Sequence, residues 1–226
     1  MKGLDFYARL VDLLLDSGIQ PFATLYHWDL PAALDDRGGW TEPETRWSGS
    51  PITRGSSSTD SRDRVPMWST WNEPFMISHA GYVDGSHAPG HHSVVRGRGG
   101  GRAISCSPTA PRCACSARIA RGSIGLVVNL EPKHPASDAA ADVAAAQRAD
   151  AYMNRQYLDP VLLRRWPDEL EAILGPASRA PSDAERAQIA EPIDFVGVNY
   201  YSRGITRHDR ATFRRWRRAC LPTGDR

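Results

Sequence analysis

Five consecutive residues, Thr70-Trp71-Asn72-Glu73-Pro74, combine side chains that could carry out acid–base chemistry on a polar substrate. A carboxyl group can give a proton to a departing oxygen, and a neighbouring amide can hold a hydroxyl group of the substrate. The preceding residues, 64–70, are rich in apolar and strand-favouring types, and Pro74 ends a strand because it lacks an N–H group. We therefore predict that Glu73 stands at the carboxyl end of a buried strand. The alternative is a helix cap or a solvated loop acid.

A polar and aromatic cluster, residues 26–31, follows another predicted strand, residues 19–25. The imidazole of His27 can hydrogen-bond a hydroxyl group, and the indole of Trp28 offers an apolar wall with one N–H donor. A sugar matches this combination, because it carries hydroxyl groups around an apolar face. Taken alone, the pair fits a core histidine and an ordinary packing tryptophan better. The carboxyl group of Glu73 at the end of the next strand favours the sugar site.

Four predicted strands end in polar or aromatic side chains. Besides 19–25 and 64–70 they span 123–130, which ends near Asn129, and 192–201, which ends at Asn199 and Tyr201. Helical patterns lie between some of them. This is the layout of an α/β protein with a parallel β/α barrel, whose site lies at the carboxyl ends of the strands.

Two helices have clear sequence signals. Apolar residues at helical spacing predict a helix over 3–17, which Gly18 ends as a C-cap. A longer helix is predicted from an N-cap at Ser137 through Tyr157. We expect Asp159-Pro160 to break it, because proline cannot donate a helical hydrogen bond.

The composition excludes several classes of protein. The chain has 226 residues, 41% of them hydrophobic, and a formal net charge of +2, which suits one domain with a core. It contains no apolar run long enough to cross a membrane, and its first residues lack a signal-peptide layout, so we expect a cytoplasmic protein. The four cysteines lack paired zinc spacings. We therefore expect no metal, no cofactor and no disulfide framework.

Three segments have neither strand nor helix periodicity: 47–62, 91–122 and 207–226. The last contains seven arginines and predicts a disordered, basic tail after a partial barrel domain over 1–206. A nucleic-acid-binding tail is the less favoured alternative. The small saccharide suggested above remains the expected partner, without nucleic acid or membrane.

Several motifs together resemble family 1 glycoside hydrolases, the bacterial β-glucosidases. They are Leu25-Tyr-His-Trp-Asp-Leu-Pro31, Ser69-Thr-Trp-Asn-Glu-Pro74, His87-Ala-Pro-Gly90 and Asp194-Phe-Val-Gly-Val-Asn-Tyr-Tyr201. The resemblance covers about two-thirds of the chain, in the order of the family's motifs. It implies a partial (β/α)8 TIM barrel, about strands three to six.

The resemblance also implies retaining hydrolysis of a β-glycosidic bond by two glutamates, one acting as acid and base and the other as nucleophile. Glu73 matches the acid/base, and Asn72 matches the residue that bonds the sugar 2-hydroxyl. His27 and Trp28 match contacts to the glycone. Tyr201 matches the tyrosine that orients the nucleophile, with Asn199 supporting it.

The chain departs from the family pattern at the nucleophile, because the family's Thr-Glu-Asn-Gly string does not occur in it. We interpret Glu131 as a loop acid rather than as a substitute for the missing nucleophile. We therefore expect almost no turnover from this chain as written, and marginal folding. The alternative function is a non-catalytic remnant that binds sugar weakly. We further hypothesise that the three irregular segments arose by out-of-frame translation, since they interrupt an otherwise consistent pattern.

Overall fold

A parallel four-stranded sheet forms the centre of the part of the chain that the structure describes. The computed structural model describes residues 2–41, 64–92, 122–174 and 181–211. The strands of this sheet are β1 (Phe22–Tyr26), β2 (Met67–Asn72), β3 (Ser123–Asn129) and β5 (Phe195–Asn199). The four strands predicted from sequence are thus confirmed, with ends that differ by a few residues.

Two short strands pair beside the main sheet, β4 (Lys133–Pro135) with β6 (Gly204–Thr206). In the sequence, β4 follows the carboxyl end of β3 and β6 follows the carboxyl end of β5. Within the main sheet, each pair of neighbouring strands is parallel, so all four carboxyl ends meet at one edge. That geometry gathers the polar residues that follow the strands.

The described helices are mostly short. They are α1 (Lys2–Asp16), α2 (Ala32–Asp35), α3 (Ala140–Asp150), α4 (Gln156–Leu162), α5 (Glu169–Leu174) and α6 (Asp183–Ile189). A 3-10 turn spans Gly39–Thr41, and π-helical segments span Met76–Ala80 and Ala151–Arg155. The predicted helix over 3–17 is confirmed. Gly18 follows it with φ +73°, and the N–H group of Ile19 donates to the carbonyl of Leu14, a C-cap arrangement.

Two buried apolar clusters join the sheet to its helices. In the larger one, Tyr26, Trp71 and Leu126 of the sheet pack with Tyr157 and Val161 of α4. The smaller one contains Val65, Trp68 and Ile124, against which Val11 of α1 packs. One face of the sheet is therefore covered by helices.

The predicted start and end of the long helix were wrong. The helix begins at Ala140 with Ala139 as its N-cap, while the hydroxyl of Ser137 donates to Asp142 instead. The chain also stays helical through Pro160 to Leu162. Tyr157 and Val161, on either side of Pro160, are both buried in the core. Their burial outweighs the cost of a helical proline, about 3 kcal/mol.

Most of the irregular segments 47–62 and 91–122, and most of the tail 207–226, lie outside the described residues, so the hypotheses about them stay predictions. The described helices include none that is both long and apolar enough to cross a membrane. No group of three or more histidine, cysteine, aspartate or glutamate side chains that could hold a metal occurs in these ranges either.

Candidate active site

Glu73 is buried directly after the carboxyl end of β2. The residue is only 7% exposed to solvent, and its backbone N–H group donates a hydrogen bond to the carbonyl of Val127 at 2.8 Å. Its φ is +54°, a left-handed conformation that costs a non-glycine residue roughly 1–3 kcal/mol. The register of β2 and β3 also shifts between Ser69 and Asn72. This irregular strand end places a carboxyl group where the neighbouring strands also end.

A row of hydrogen bonds connects four of the predicted site residues. The Asn199 amide donates to Glu73 Oε1 at 2.7 Å and to Asn72 Oδ1 at 3.1 Å. Asn72 Nδ2 in turn lies 3.1 Å from His27 Nε2. The row therefore crosses from β1 through β2 to β5, and it holds the carboxyl group in one orientation.

Trp28 forms an aromatic wall beside this row. Its indole Nε1 donates to the carbonyl of Asn72 at 3.0 Å, and its backbone has φ +74°. Its ring lies 5.0 Å from the ring of His27. Buried Tyr26 donates to the carbonyl of Trp28 at 2.8 Å, and burial raises the pKa of this phenol, which keeps it a neutral donor. Hydrogen bonds therefore hold Trp28 in place at both its backbone carbonyl and its indole ring.

His87 lies beside Trp28, although it is not among the individual site residues predicted from the sequence. Its ring lies 4.8 Å from the ring of Trp28, on a loop that follows the π-helical segment Met76–Ala80. His87 belongs to the string His87-Ala-Pro-Gly90, which helps to identify the family and ends a segment, residues 80–90, that the sequence predicts to be an active-site loop. That string was the signal that could have assigned it to the site.

Tyr201 is not brought into the row. It follows β5 and is 85% exposed, and within the described part of the chain it makes no hydrogen bond or ring contact. Its predicted role beside a nucleophile stays a prediction.

Glu131 is also separate from the row: its carboxylate pairs with Lys133 and accepts a hydrogen bond from Ser202, and its backbone carbonyl accepts one from the Asn154 amide. These contacts fit the interpretation of Glu131 as a loop acid.

Comparison with known proteins matches this arrangement to one family. The sequence model of glycosyl hydrolase family 1 matches residues 1–218. The chain belongs to this family. It is 37% identical over 213 residues to β-glucosidase A of Acetivibrio thermocellus, covering 92% of this chain and 47% of the relative. It is also 37% identical to thermostable β-glucosidase B of Thermobispora bispora, covering 88% of this chain and 41% of that protein.

Solved structures of the family have the same fold over this region. The virulence factor SghA of Agrobacterium tumefaciens superimposes with a TM-score of 0.85 at 32% identity, covering 92% of this chain and 46% of that one. A family 1 β-glucosidase of Thermotoga maritima, solved with isofagomine lactam, gives 0.84 at 33% identity and covers 93% and 48%. The predicted partial (β/α)8 barrel is thereby confirmed. The family 1 chain described here spans about half the length of the relatives it matches.

Proposed function

We propose that this chain carries one half of a retaining β-glycosidase site of the β-glucosidase type, with Glu73 as the acid/base. The observation that carries the proposal is the hydrogen bond from Asn199 to the Glu73 carboxyl group, within a row that also includes Asn72 and His27. The relatives named above are β-glucosidases, and SghA has been solved with its substrate analogue salicin. We infer a small β-glucoside as the substrate here.

In this mechanism the protonated Glu73 donates its proton to the glycosidic oxygen as the bond to the sugar breaks, and it then removes a proton from the attacking water. Asn72 and His27 offer polar atoms to the hydroxyl groups of the sugar, and the Trp28 indole covers its apolar face. The Asn199 amide keeps the carboxyl group directed at the glycosidic bond. A retaining mechanism also needs a carboxylate nucleophile about 5–5.5 Å from the acid. We propose that the nucleophile is not among these 226 residues.

A chimera tests the proposal. This chain replaces the region that it matches in β-glucosidase A of Acetivibrio thermocellus, so that the relative supplies the rest of the barrel. We expect the chimera to hydrolyse 4-nitrophenyl β-D-glucoside with retention of configuration. Glu73→Gln should lower kcat/KM by about 10²–10⁴-fold, the range for loss of a general acid.

Glu131→Gln in the same chimera is the matched control, because it removes a carboxylate that is bound to Lys133 and Ser202 instead of to the row. Its kcat/KM should stay within about twofold of the unsubstituted chimera, as expected for a residue outside the reacting groups. A folded chimera that binds β-glucosides without turning them over would support the alternative of a sugar-binding remnant. Equal losses for both variants would reject Glu73 as the acid.

A further inference from the structure

A crevice of about 200 Å³ lies where the end of α4 meets α6. Its apolar lining comes from Pro160 of α4, from Pro181, and from Ile189 of α6, all of them buried. No lining residue belongs to the row that holds Glu73. Pockets for drug-sized ligands enclose roughly 300–1,000 Å³, so this crevice has room for a smaller molecule.

Three arginines give the crevice its charge. Arg164 and Arg165 directly follow the end of α4, and Arg186 belongs to α6. Among the described residues, no carboxylate contributes to the lining. Arginine stays protonated, and its planar guanidinium group binds phosphate or carboxylate oxygens through pairs of N–H donors. The crevice therefore favours an anion over a neutral molecule.

Nearby acids neutralise these arginines only in part. Arg165 Nε donates to the buried Asp159 at 3.0 Å. Arg186 donates to Asp183 at 2.9 Å, but the Asp183 side chain is 98% exposed, and such surface pairs are weak. The Arg164 guanidinium has no recorded ion pair or hydrogen bond within the described ranges. The crevice thus keeps positive charge that a bound anion would neutralise.

The backbone of Arg164 is strained. Its φ is +56°, and it directly follows Leu163, the C-cap of α4. Glycine is the usual residue at this position of a helix end, because a Cβ atom makes the left-handed conformation unfavourable. Strained residues that persist in folded proteins cluster at ligand sites. The arginine without a recorded partner is therefore also the one whose presence costs stability.

Trp166 adds a flat apolar surface to the crevice. Its ring packs against the buried cluster of Ala151, Leu170 and Ile173, which holds it in place. The same residue lines the crevice. An indole ring stacks well on a planar apolar group. Together with the arginines, it specifies a ligand that has a planar apolar body and an anionic end.

We propose that this crevice binds a small phosphate monoester with a planar apolar body. The phosphate contacts Arg164, Arg165 and Arg186, and the apolar body lies against Trp166. A phosphate monoester suits three guanidinium groups better than a carboxylate does, because it carries up to two negative charges and three acceptor oxygens. The site goes beyond the proposed function and does not depend on it, since no lining residue belongs to the row that holds Glu73.

Titration calorimetry with phenyl phosphate tests the proposal. The full chain and the chimera are both titrated, because both contain every residue that lines the crevice. We expect a Kd of about 0.1–1 mM, a reasonable affinity for a ligand of this size. Inorganic phosphate lacks the ring, benzyl alcohol lacks the charge, and benzoate has a single negative charge. Each of these should bind at least about fivefold more weakly than phenyl phosphate.

Substitution of Arg164 separates binding from stability. Arg164→Gly should weaken phenyl phosphate binding about fivefold or more, because it removes one guanidinium group. In the chimera it should also raise the thermal midpoint by about 2–4 °C, because glycine suits the left-handed backbone. A residue that only stabilised the fold would lower the midpoint when it is replaced.

Two further variants locate the site. Arg186→Gln should weaken phenyl phosphate binding by a similar factor without a change at Arg164. Arg37→Gln is the matched control, because Arg37 is an exposed arginine that donates to the carbonyl of Ala33 and does not line the crevice. It should leave the Kd unchanged. Circular dichroism checks that each variant is folded.

Several outcomes would overturn the proposal. They are the absence of phenyl phosphate binding by either folded protein, equal losses for Arg186→Gln and Arg37→Gln, and a lower thermal midpoint for Arg164→Gly. Benzoate that binds as tightly as phenyl phosphate would reject the assignment to a phosphate monoester. Weaker binding by Arg164→Gly together with a higher midpoint would support the site.

Discussion

Asn199 is the residue that joins the end of β5 to the end of β2, because its amide donates to both Asn72 and Glu73. We predict that Asn199→Ala lowers kcat/KM of the chimera about 10²-fold, since a misdirected carboxyl group loses its near-attack geometry. Asn129→Ala is the control. Asn129 pairs with Asn199 in register, but its side chain has no recorded bond among the described residues. Equal losses for the two would show that Asn199 does not act through Glu73.

His79 is the residue whose titration should affect stability. Burial lowers its pKa from the ordinary value, and Asp84, 3.9 Å away, only partly opposes this. Its ring stacks on Phe75 and bonds the hydroxyl of Tyr152 at 2.9 Å. Because the folded pKa lies below the unfolded one, the unfolded chain binds the proton more readily, and stability falls as the pH drops below about 6.5.

We therefore predict that His79→Gln flattens the pH dependence of the chimera's thermal midpoint between pH about 7.5 and the folded pKa of His79. Glutamine can still bond the Tyr152 hydroxyl, so the midpoint at the upper end of this range should change little. The measurement is a series of thermal scans of both proteins in matched buffers. Parallel profiles for the two proteins would show that another group causes the acid sensitivity.

At the scale of a single element, α1 offers a test of how its end is determined. Gly18 has φ +73° in the C-cap, and no atom lies within 4 Å of a Cβ placed there. Gly18→Ala should therefore destabilise the chimera by about 1 kcal/mol through backbone strain alone. The prediction is checked by comparing thermal midpoints.

Gly3 provides the control for that substitution. It lies inside α1, it also has nothing within 4 Å, and its φ is not in the left-handed region. Gly3→Ala should stabilise the chimera by roughly 0.5–1 kcal/mol, because alanine favours the helix. A midpoint that moves in the same direction for both variants would contradict the assignment of Gly18 to the C-cap.

At the scale of the whole molecule, several large apolar side chains among the described residues are exposed. They include Phe6, Tyr7 and Leu13 of α1, and Phe22 and Met67 of the sheet. We predict that the purified chain alone binds a hydrophobic dye strongly and unfolds over a broad temperature range, and that the chimera, in which the relative supplies the rest of the barrel, binds the dye much less. A sharp, cooperative transition without dye binding would show that the chain is stable by itself.

The sequence determined the features that depend on neighbouring residues. Runs of apolar and strand-favouring residues located the four strands, and apolar residues at helical spacing, followed by Gly18, located α1. Both signals depend only on residues that are close together in the sequence. The polar residues after each strand identified His27, Trp28, Asn72, Glu73 and Asn199 as site candidates. Parallel strands then required that these residues share one edge of the sheet.

Only the tertiary structure decided how those residues meet. The bonds of Asn199 to Asn72 and Glu73 span more than 120 residues of chain, and the left-handed backbones of Trp28 and Glu73 persist because packed neighbours hold them. The same kind of long-range packing keeps α4 helical through Pro160 to Leu162, although the local sequence predicts that the helix breaks at Asp159-Pro160. Local patterns reveal what a segment favours by itself, whereas contacts between distant segments decide which of those preferences survive folding.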